Sequence, residues 1–336
     1  MKHMLLLLHS LFVCQPAFAK NSPPYKLAHF DLHFPMACEI GETCWVMNYV
    51  DHDAQQGSVK DANCETRSYD GHKGTDIAIR DWGSALKGVA IFAPAPGKVI
   101  GVRDDEPNQF STHAQLEAIR SKGRDCGNGV RIEHGDGWIT QFCHMKENSV
   151  SAVLGDEVAT GTKLGEVGMS GVTQHPHLHM SLIRNDEVID PYTGREASQD
   201  CGLKLAKPLW KNGMPYSGFS VYDAGFATGK PNFDAIARRT IESSLHKKSP
   251  ALVFYIMYFG ARVEDEIQLT IVQPDGRIFS ERKITQKKTR ARQNFYIGRK
   301  NPSGEFMTGT WTAEAQVLRP DTGERQQIKR TVTLVD

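Results

Sequence analysis

The sequence predicts a mainly β protein in two parts: a sheet-forming region over residues 71–200 and an immunoglobulin-like β-sandwich over 217–336. Three observations predict this. Residues 71–194 break into short apolar or alternating runs separated by Gly- and Pro-containing turns. From residue 217 onward, β-like runs recur at 217–222, 251–258, 266–273, 278–284, 292–298, 309–318 and 326–335, the rhythm of a two-sheet sandwich. Residues 113–122, HAQLEAIRSK, read as a helix in an insertion, closed by Gly123. A length of 336 residues also suits two domains at about 100–200 residues each.

The chain opens with a leader. Lys2 and His3 form a short polar start, Met4 to Val13 an apolar run, and Ala17-Phe18-Ala19 a small-x-small cleavage site. That run falls short of the roughly 20 residues needed to span a bilayer. We therefore expect a signal peptide over 1–19, export to the periplasm or beyond, and no transmembrane segment. A formal net charge of +1, with Lys2 contributing one positive, leaves the remainder near neutral. Such a balance gives no electrostatic case for nucleic acid as a partner.

Export changes how the cysteines read. After Cys14 is lost with the leader, Cys38, Cys44, Cys64, Cys126, Cys143 and Cys201 remain, an even number suited to disulfides in an oxidising compartment. Three of them lie in an irregular arm, residues 20–70, read mostly as a stabilising wrap over the next domain. Within it Cys38 and Cys44 bracket a loop one bond could close, and residues 45–50 read as a strand. Further on, residues 89–102 give two short strands about Pro94-Ala95-Pro96-Gly97. Residues 129–133 and 138–144 form a hairpin about His134-Gly135-Asp136-Gly137. That hairpin brings Cys126 toward Cys143, our first pairing expectation. Short strands are read at 154–158 and 164–168, and residues 201–216 as a linker. The Lys/Arg run between Arg282 and Arg292 reads as a solvated face.

Two motifs carry chemistry. His177-Leu178-His179 places two imidazoles at i and i+2 on a strand, hence on one face. About a hundred residues upstream, His72 and Asp76 stand four apart in Gly71-His-Lys-Gly-Thr-Asp76. Nitrogen and oxygen donors of this kind suit zinc. The other histidines, His33, His52, His113, His134, His175 and His246, read as structural or exposed. The cluster Asp31, His33, Asp51, His52, Asp53 reads as polar loop rather than a second metal site.

The order His72-x3-Asp76, then Gly129-Val-Arg-Ile-Glu-His-Gly-Asp-Gly137 through Gln141-Phe-Cys-His144, then His177-x-His179, resembles the lysostaphin/LytM-type zinc endopeptidases. The resemblance covers roughly residues 70–195. It implies an antiparallel β-sheet catalytic domain that cuts peptide cross-links of peptidoglycan. One zinc ion would be held by His72, Asp76 and His179, and His144 and His177 would assist its water as the catalytic pair. Peptidoglycan peptide stems are then the expected partner, with an envelope protein as a candidate for the C-terminal domain. The alternative is a non-catalytic envelope protein that binds or regulates other wall hydrolases, although degenerate members of that kind typically lose ligands and this chain keeps all five polar residues. Met180-Ser181 after the last histidine, the approach Val172-Thr-Gln-His-Pro176, and Cys143 depart from the family pattern. These departures bear on substrate subsites.

Overall fold

A computed structural model describes residues 30–238, 245–301 and 304–335. The leader expected over 1–19 and the start of the arm lie outside the described residues. In the N-terminal part the elements are β1 (Cys44–Asn48), β2 (Thr75–Ile79), α1 (Trp82–Lys87), β3 (Ala90–Phe92), β4 (Gly97–Arg103), α2 (His113–Ser121), β5 (Asn128–Gly135), β6 (Trp138–Met145), β7 (Glu157–Val158), β8 (Lys163–Glu166), β9 (His177–Arg184), β10 (Glu187–Asp190) and β11 (Arg195–Glu196). The C-terminal part holds β12 (Ser220–Ala227), α3 (Phe233–Arg238), β13 (Ala251–Ala261), β14 (Glu266–Val272), β15 (Ile278–Thr285), β16 (Arg290–Lys300), β17 (Gly309–Leu318) and β18 (Arg325–Leu334).

The first sheet runs β1-β2-β9-β6-β5-β4-β7, with β10 paired to β9 and β11 to β10. Its pairings are antiparallel, so alternate side chains of each strand share a face. Leu178, Met180 and Leu182 of β9, with Val130, Ile132 and Phe142 of β5 and β6, point into a core that also holds Ile77, Ile79 and Ile91. His177, His179 and Ser181 therefore point to the opposite face. The helix at 113–121 forms as the sequence predicts. Its start is fixed by a capping box in which Thr112 accepts from the Gln115 N–H and Gln115 accepts from the Thr112 N–H.

The C-terminal strands make a three-stranded sheet, β12-β13-β16, facing a four-stranded one, β15-β14-β17-β18. Leu252, Phe254 and Ile256 of β13 meet Ile267, Leu269 and Ile271 of β14 and Trp311, Ala313 and Ala315 of β17 between them. Strand β13 is apolar on both faces because both are covered. Its Tyr255, Met257 and Phe259 pack with Tyr222 and Ile236 against Trp45 and Ala78 of the first sheet.

Two expectations need correction. The arm is more than a wrap: β1 is a strand of the site-bearing sheet, and its Asn48 stands opposite Asp76. The stretch 201–216 is no free linker either. Trp210 is buried in the first core, Leu203, Leu209, Met214 and Tyr216 pack on it, and Leu32 bridges to Trp210. Local sequence marks these segments as irregular because their Pro, Gly and Cys interrupt periodicity, and their partners are far away in the chain. Disulfides join Cys38 to Cys44, Cys64 to Cys201 and Cys126 to Cys143. Beside them, Arg319 pairs with Asp265 at 2.9 Å and with Glu65 at 3.4 Å, tying the sandwich to the arm.

Candidate metal centre

Strands β2 and β9 are neighbours, with Asp76 directly opposite His179 and Ala78 opposite His177. His72, on the turn before β2, completes a buried group. His72 Nε2 lies 3.1 Å from Asp76 Oδ1 and 3.2 Å from His179 Nδ1, and His179 Nδ1 lies 2.8 Å from Asp76 Oδ1. A tetrahedral zinc with ligand bonds of about 2.0–2.2 Å wants donors about 3.4 Å apart. The triangle is close to that size. His72 and Asp76 are each 2% exposed. Among the described residues, these three form the one group of His, Cys, Asp and Glu side chains converging in this way.

What surrounds the triangle decides how its donors point. His72 Nδ1–H donates to the Tyr49 carbonyl at 2.6 Å, leaving Nε2 unprotonated in the neutral ring. Asn48 Nδ2 donates to Asp76 Oδ2 at 2.8 Å and so frees Oδ1. His179 Nε2 lies 3.0 Å from Ser181 Oγ, which leaves Nδ1 for the centre. Thus two acceptor nitrogens and a carboxylate oxygen face one another at contact distance. Lone pairs so arranged repel unless a cation or protons sit among them, and fixing each ligand through its far atom is typical of metal sites. The residues present therefore fit a zinc ion. Gly74 is required here by close approach: a Cβ would meet His179 Cε1 at 2.6 Å.

His144 and His177 stand beside the triangle, ring centroids 4.7 Å apart. Each is fixed in the same manner: His144 Nδ1–H donates to the Ser170 carbonyl and His177 Nδ1–H to the His175 carbonyl, both at 2.8 Å. Their Nε2 atoms are the nitrogens not held by a backbone carbonyl, and that of His177 pairs with Asp76 Oδ1 at 3.5 Å. His144 holds φ at 61°, a left-handed conformation rare for a side chain of this size. Its N–H donates to the Cys126 carbonyl, and its own carbonyl accepts from Gly168. Strain held in place by its surroundings is common at functional positions.

Burial, then the neighbouring His177 and His179, pushes the His144 pKa well below its usual value. Burial also lowers His179. For Asp76, burial acts to raise the pKa, but His72, His177 and the imidazole hydrogen bonds prevail and hold it well below the usual carboxylate range. His72 is raised, since Asp76 outweighs burial. The half-exposed Tyr69 ring lies 4.3 Å from the His72 ring at the rim.

The remaining histidines have structural partners. His134 bonds the Pro96 carbonyl and Thr140, and burial lowers its pKa to about 4. His175 donates from Nε2 to the Ile79 carbonyl, and its Nδ1 faces Arg292 at 3.4 Å. Its ring meets Tyr222 and Phe259 edge-on, and burial followed by Arg292 lowers its pKa to about 3. His52 pairs with Asp190 at 2.8 Å, while Asp51 accepts backbone N–H groups of Asp53, Lys60 and Gly71.

Sequence reasoning brought together His72, Asp76, His144, His177 and His179, and the structure places all five in one site. It missed Asn48, Tyr49, Ser170 and Ser181. Only Ser181 left a local signal, since it continues the i, i+2 face of the His-x-His pair. Asn48 and Tyr49 lie more than twenty residues before the ligands they orient.

Residues 70–191 match peptidase family M23. The chain therefore carries a peptidase family M23 domain with a candidate His/Asp/His metal site. It is similar to an uncharacterized metalloprotease of Haemophilus influenzae, 24% identical over 136 residues, which are 40% of this chain and 23% of the relative. Cell division protein DipM of Caulobacter vibrioides is 36% identical over 112 residues, 32% of this chain and 16% of DipM. The matched segment thus spans less than a quarter of either relative. Among solved structures, a zinc-containing peptidase from Vibrio cholerae aligns at 22% identity and TM-score 0.28, over 47% of this chain and 40% of that one. The lysostaphin catalytic domain of Staphylococcus simulans aligns at 18% identity and TM-score 0.27, over 43% and 85%.

Proposed function

We propose that the protein is an exported zinc endopeptidase that hydrolyses peptide cross-links of peptidoglycan in the bacterial envelope. The observation that carries this reading is the triangle of His72 Nε2, Asp76 Oδ1 and His179 Nδ1, each donor freed by a partner on its far atom. When bound, zinc supplies a Lewis acid that polarises a carbonyl and lowers the pKa of water toward about 7. His144 and His177 supply the proton chemistry. One free Nε2 takes the proton of the attacking water and returns it to the leaving amine. The other imidazole hydrogen-bonds the oxyanion that develops on the scissile carbonyl. The Nδ1–H tethers leave Nε2 as the working nitrogen of both rings: unprotonated in the ring that takes the water proton, and carrying the second proton of an imidazolium in the ring that donates to the oxyanion. The face of the sheet that carries His179 and continues to Gln141 and the exposed Arg131 offers the floor along which a peptide lies.

The test uses protein beginning at Lys20. Bound zinc is quantified, isolated Gram-negative peptidoglycan is digested, and the muropeptides are resolved by mass spectrometry, with His179→Ala and His144→Ala in parallel. We expect cross-linked dimers to fall to monomers with wild type only. Zinc should be lost from His179→Ala and kept by His144→Ala, whose rate should drop by about 10²–10⁴-fold. Zinc binding without any wall cleavage would instead support a non-catalytic binding or regulatory protein. Absence of zinc binding would overturn both readings of the site.

A further inference from the structure

The open face of the first sheet continues beyond the metal triangle. Reading across the strands from β9, Ser181 stands opposite Gln141, Gln141 opposite Arg131, and Arg131 opposite Gly101. In the adjacent row His179 stands opposite Cys143, and Gly129 opposite Arg103. A cavity of about 340 Å³ opens on this face, lined by Gly101, Arg103, Cys126, Gly129, Arg131 and Gln141 among others. The Cys126–Cys143 bond lies between His179 and this cavity, and Gln141 Nε2 rests on it, 3.3 Å from Cys143 Sγ.

No acidic residue lines the cavity, and neither arginine has an acidic partner among the described residues. The Arg131 side chain lies across Gly101, where a Cβ would meet it at 3.6 Å, and it is exposed. Arg103 spends one N–H on the Gly127 carbonyl at 3.3 Å. Of the acids nearby, Asp105 and Glu106 are paired with Arg124, and Glu133, two residues along β5, stands opposite Lys98. Two guanidinium groups over a glycine floor, with an amide beside them, form a site for a carboxylate.

We infer that this cavity is a substrate subsite in which Arg131 and Arg103 bind a free carboxylate of the peptide being cut. The inference rests on the proposed endopeptidase reading and adds the feature of the substrate that is recognised. Two strand spacings of about 4.8 Å, plus a step along the strand, put Arg131 roughly 10–12 Å from His179. An extended peptide covers that in about three to four residues. The carboxylate so read belongs to a side chain or chain end at that remove from the scissile bond.

The experiment measures kcat and KM on purified cross-linked muropeptides, native and with carboxylates converted to amides by carbodiimide and ammonia. Wild type, Arg131→Gln, Arg103→Gln and Arg131→Lys, all zinc-loaded, are compared. For Arg131→Gln on native substrate we expect KM to rise about five- to tenfold with kcat within about twofold. Arg131→Lys should recover part of the loss, and Arg131→Gln should match wild type on the amidated substrate. Equal KM values for wild type and Arg131→Gln on native substrate, or equal losses on both substrates, would overturn the subsite. If wild type cuts neither substrate, the endopeptidase reading fails, and titration calorimetry with the same two ligands judges the subsite alone. Weaker binding of the native ligand by Arg131→Gln, with no change for the amidated one, supports it. Unchanged binding refutes it.

Discussion

The two parts of the molecule that meet at Ala78 and Phe259 obey different rules. In the C-terminal sandwich, β17 alternates without a break: Trp311, Ala313, Ala315 and Val317 are buried and the residues between them are not. In the first sheet, β9 buries His177 and Ser181 on one face as well as Leu178, Met180 and Leu182 on the other. Burying polar groups costs free energy unless each has a partner. The imidazoles and the Asp76 carboxylate meet that cost through Tyr49, Asn48, Ser170 and the His175 carbonyl. The sandwich gains stability from its regularity, whereas the first sheet gives up regularity for a site. The sandwich is nonetheless not detached from the chemistry. Tyr222, Phe259 and Arg292 enclose His175, whose carbonyl sets the tautomer of His177.

The sharpest way to break the comparison is a large-to-small change in the regular sheet. Trp311→Ala should cost about 3–5 kcal/mol, read by denaturant unfolding. Zinc per folded molecule should stay at the wild-type value. A loss of zinc from the folded fraction would show that the two sheets are not separable in this sense.

A smaller effect is expected from the irregular sheet's supporting groups. Asn48→Ala removes the donor that holds Asp76 Oδ2 and should weaken zinc affinity by about 10–100-fold in a competition titration with a chelator. Unchanged affinity would mean that Asp76 is oriented by its histidine neighbours alone.

A third effect, comparable in size for each group, is in pH. His134 and His175 are buried neutral, with pKa values lowered to about 4 and about 3 from 6.5. The unfolded chain therefore binds more protons below pH 6.5 than the folded one does. Stability from these groups is complete above that pH and falls as pH drops toward 4. Between pH 7 and 5 the loss should be on the order of 2 kcal/mol for each. Chemical denaturation at the two pH values checks it, and stability that is flat or higher at pH 5 would contradict the account.

Much of this molecule is legible in its sequence, for a physical reason. Strand alternation, turn chemistry and the capping box are local properties, so the sandwich strands, the 113–121 helix and the 128–145 hairpin follow from short windows. The His-x-His pair and His72-x3-Asp76 are also local, because a period of two puts His177 and His179 on one face whatever surrounds them. Only tertiary structure decided the rest. Antiparallel pairing set Asp76 against His179, β1 brought Asn48 and Tyr49 to the ligands from more than twenty residues away, and the sandwich supplied the aromatic seat of His175. Such partners leave no trace in a window of ten residues. What selects them is the free energy of burying a polar group, which is felt only when the chain has closed around it.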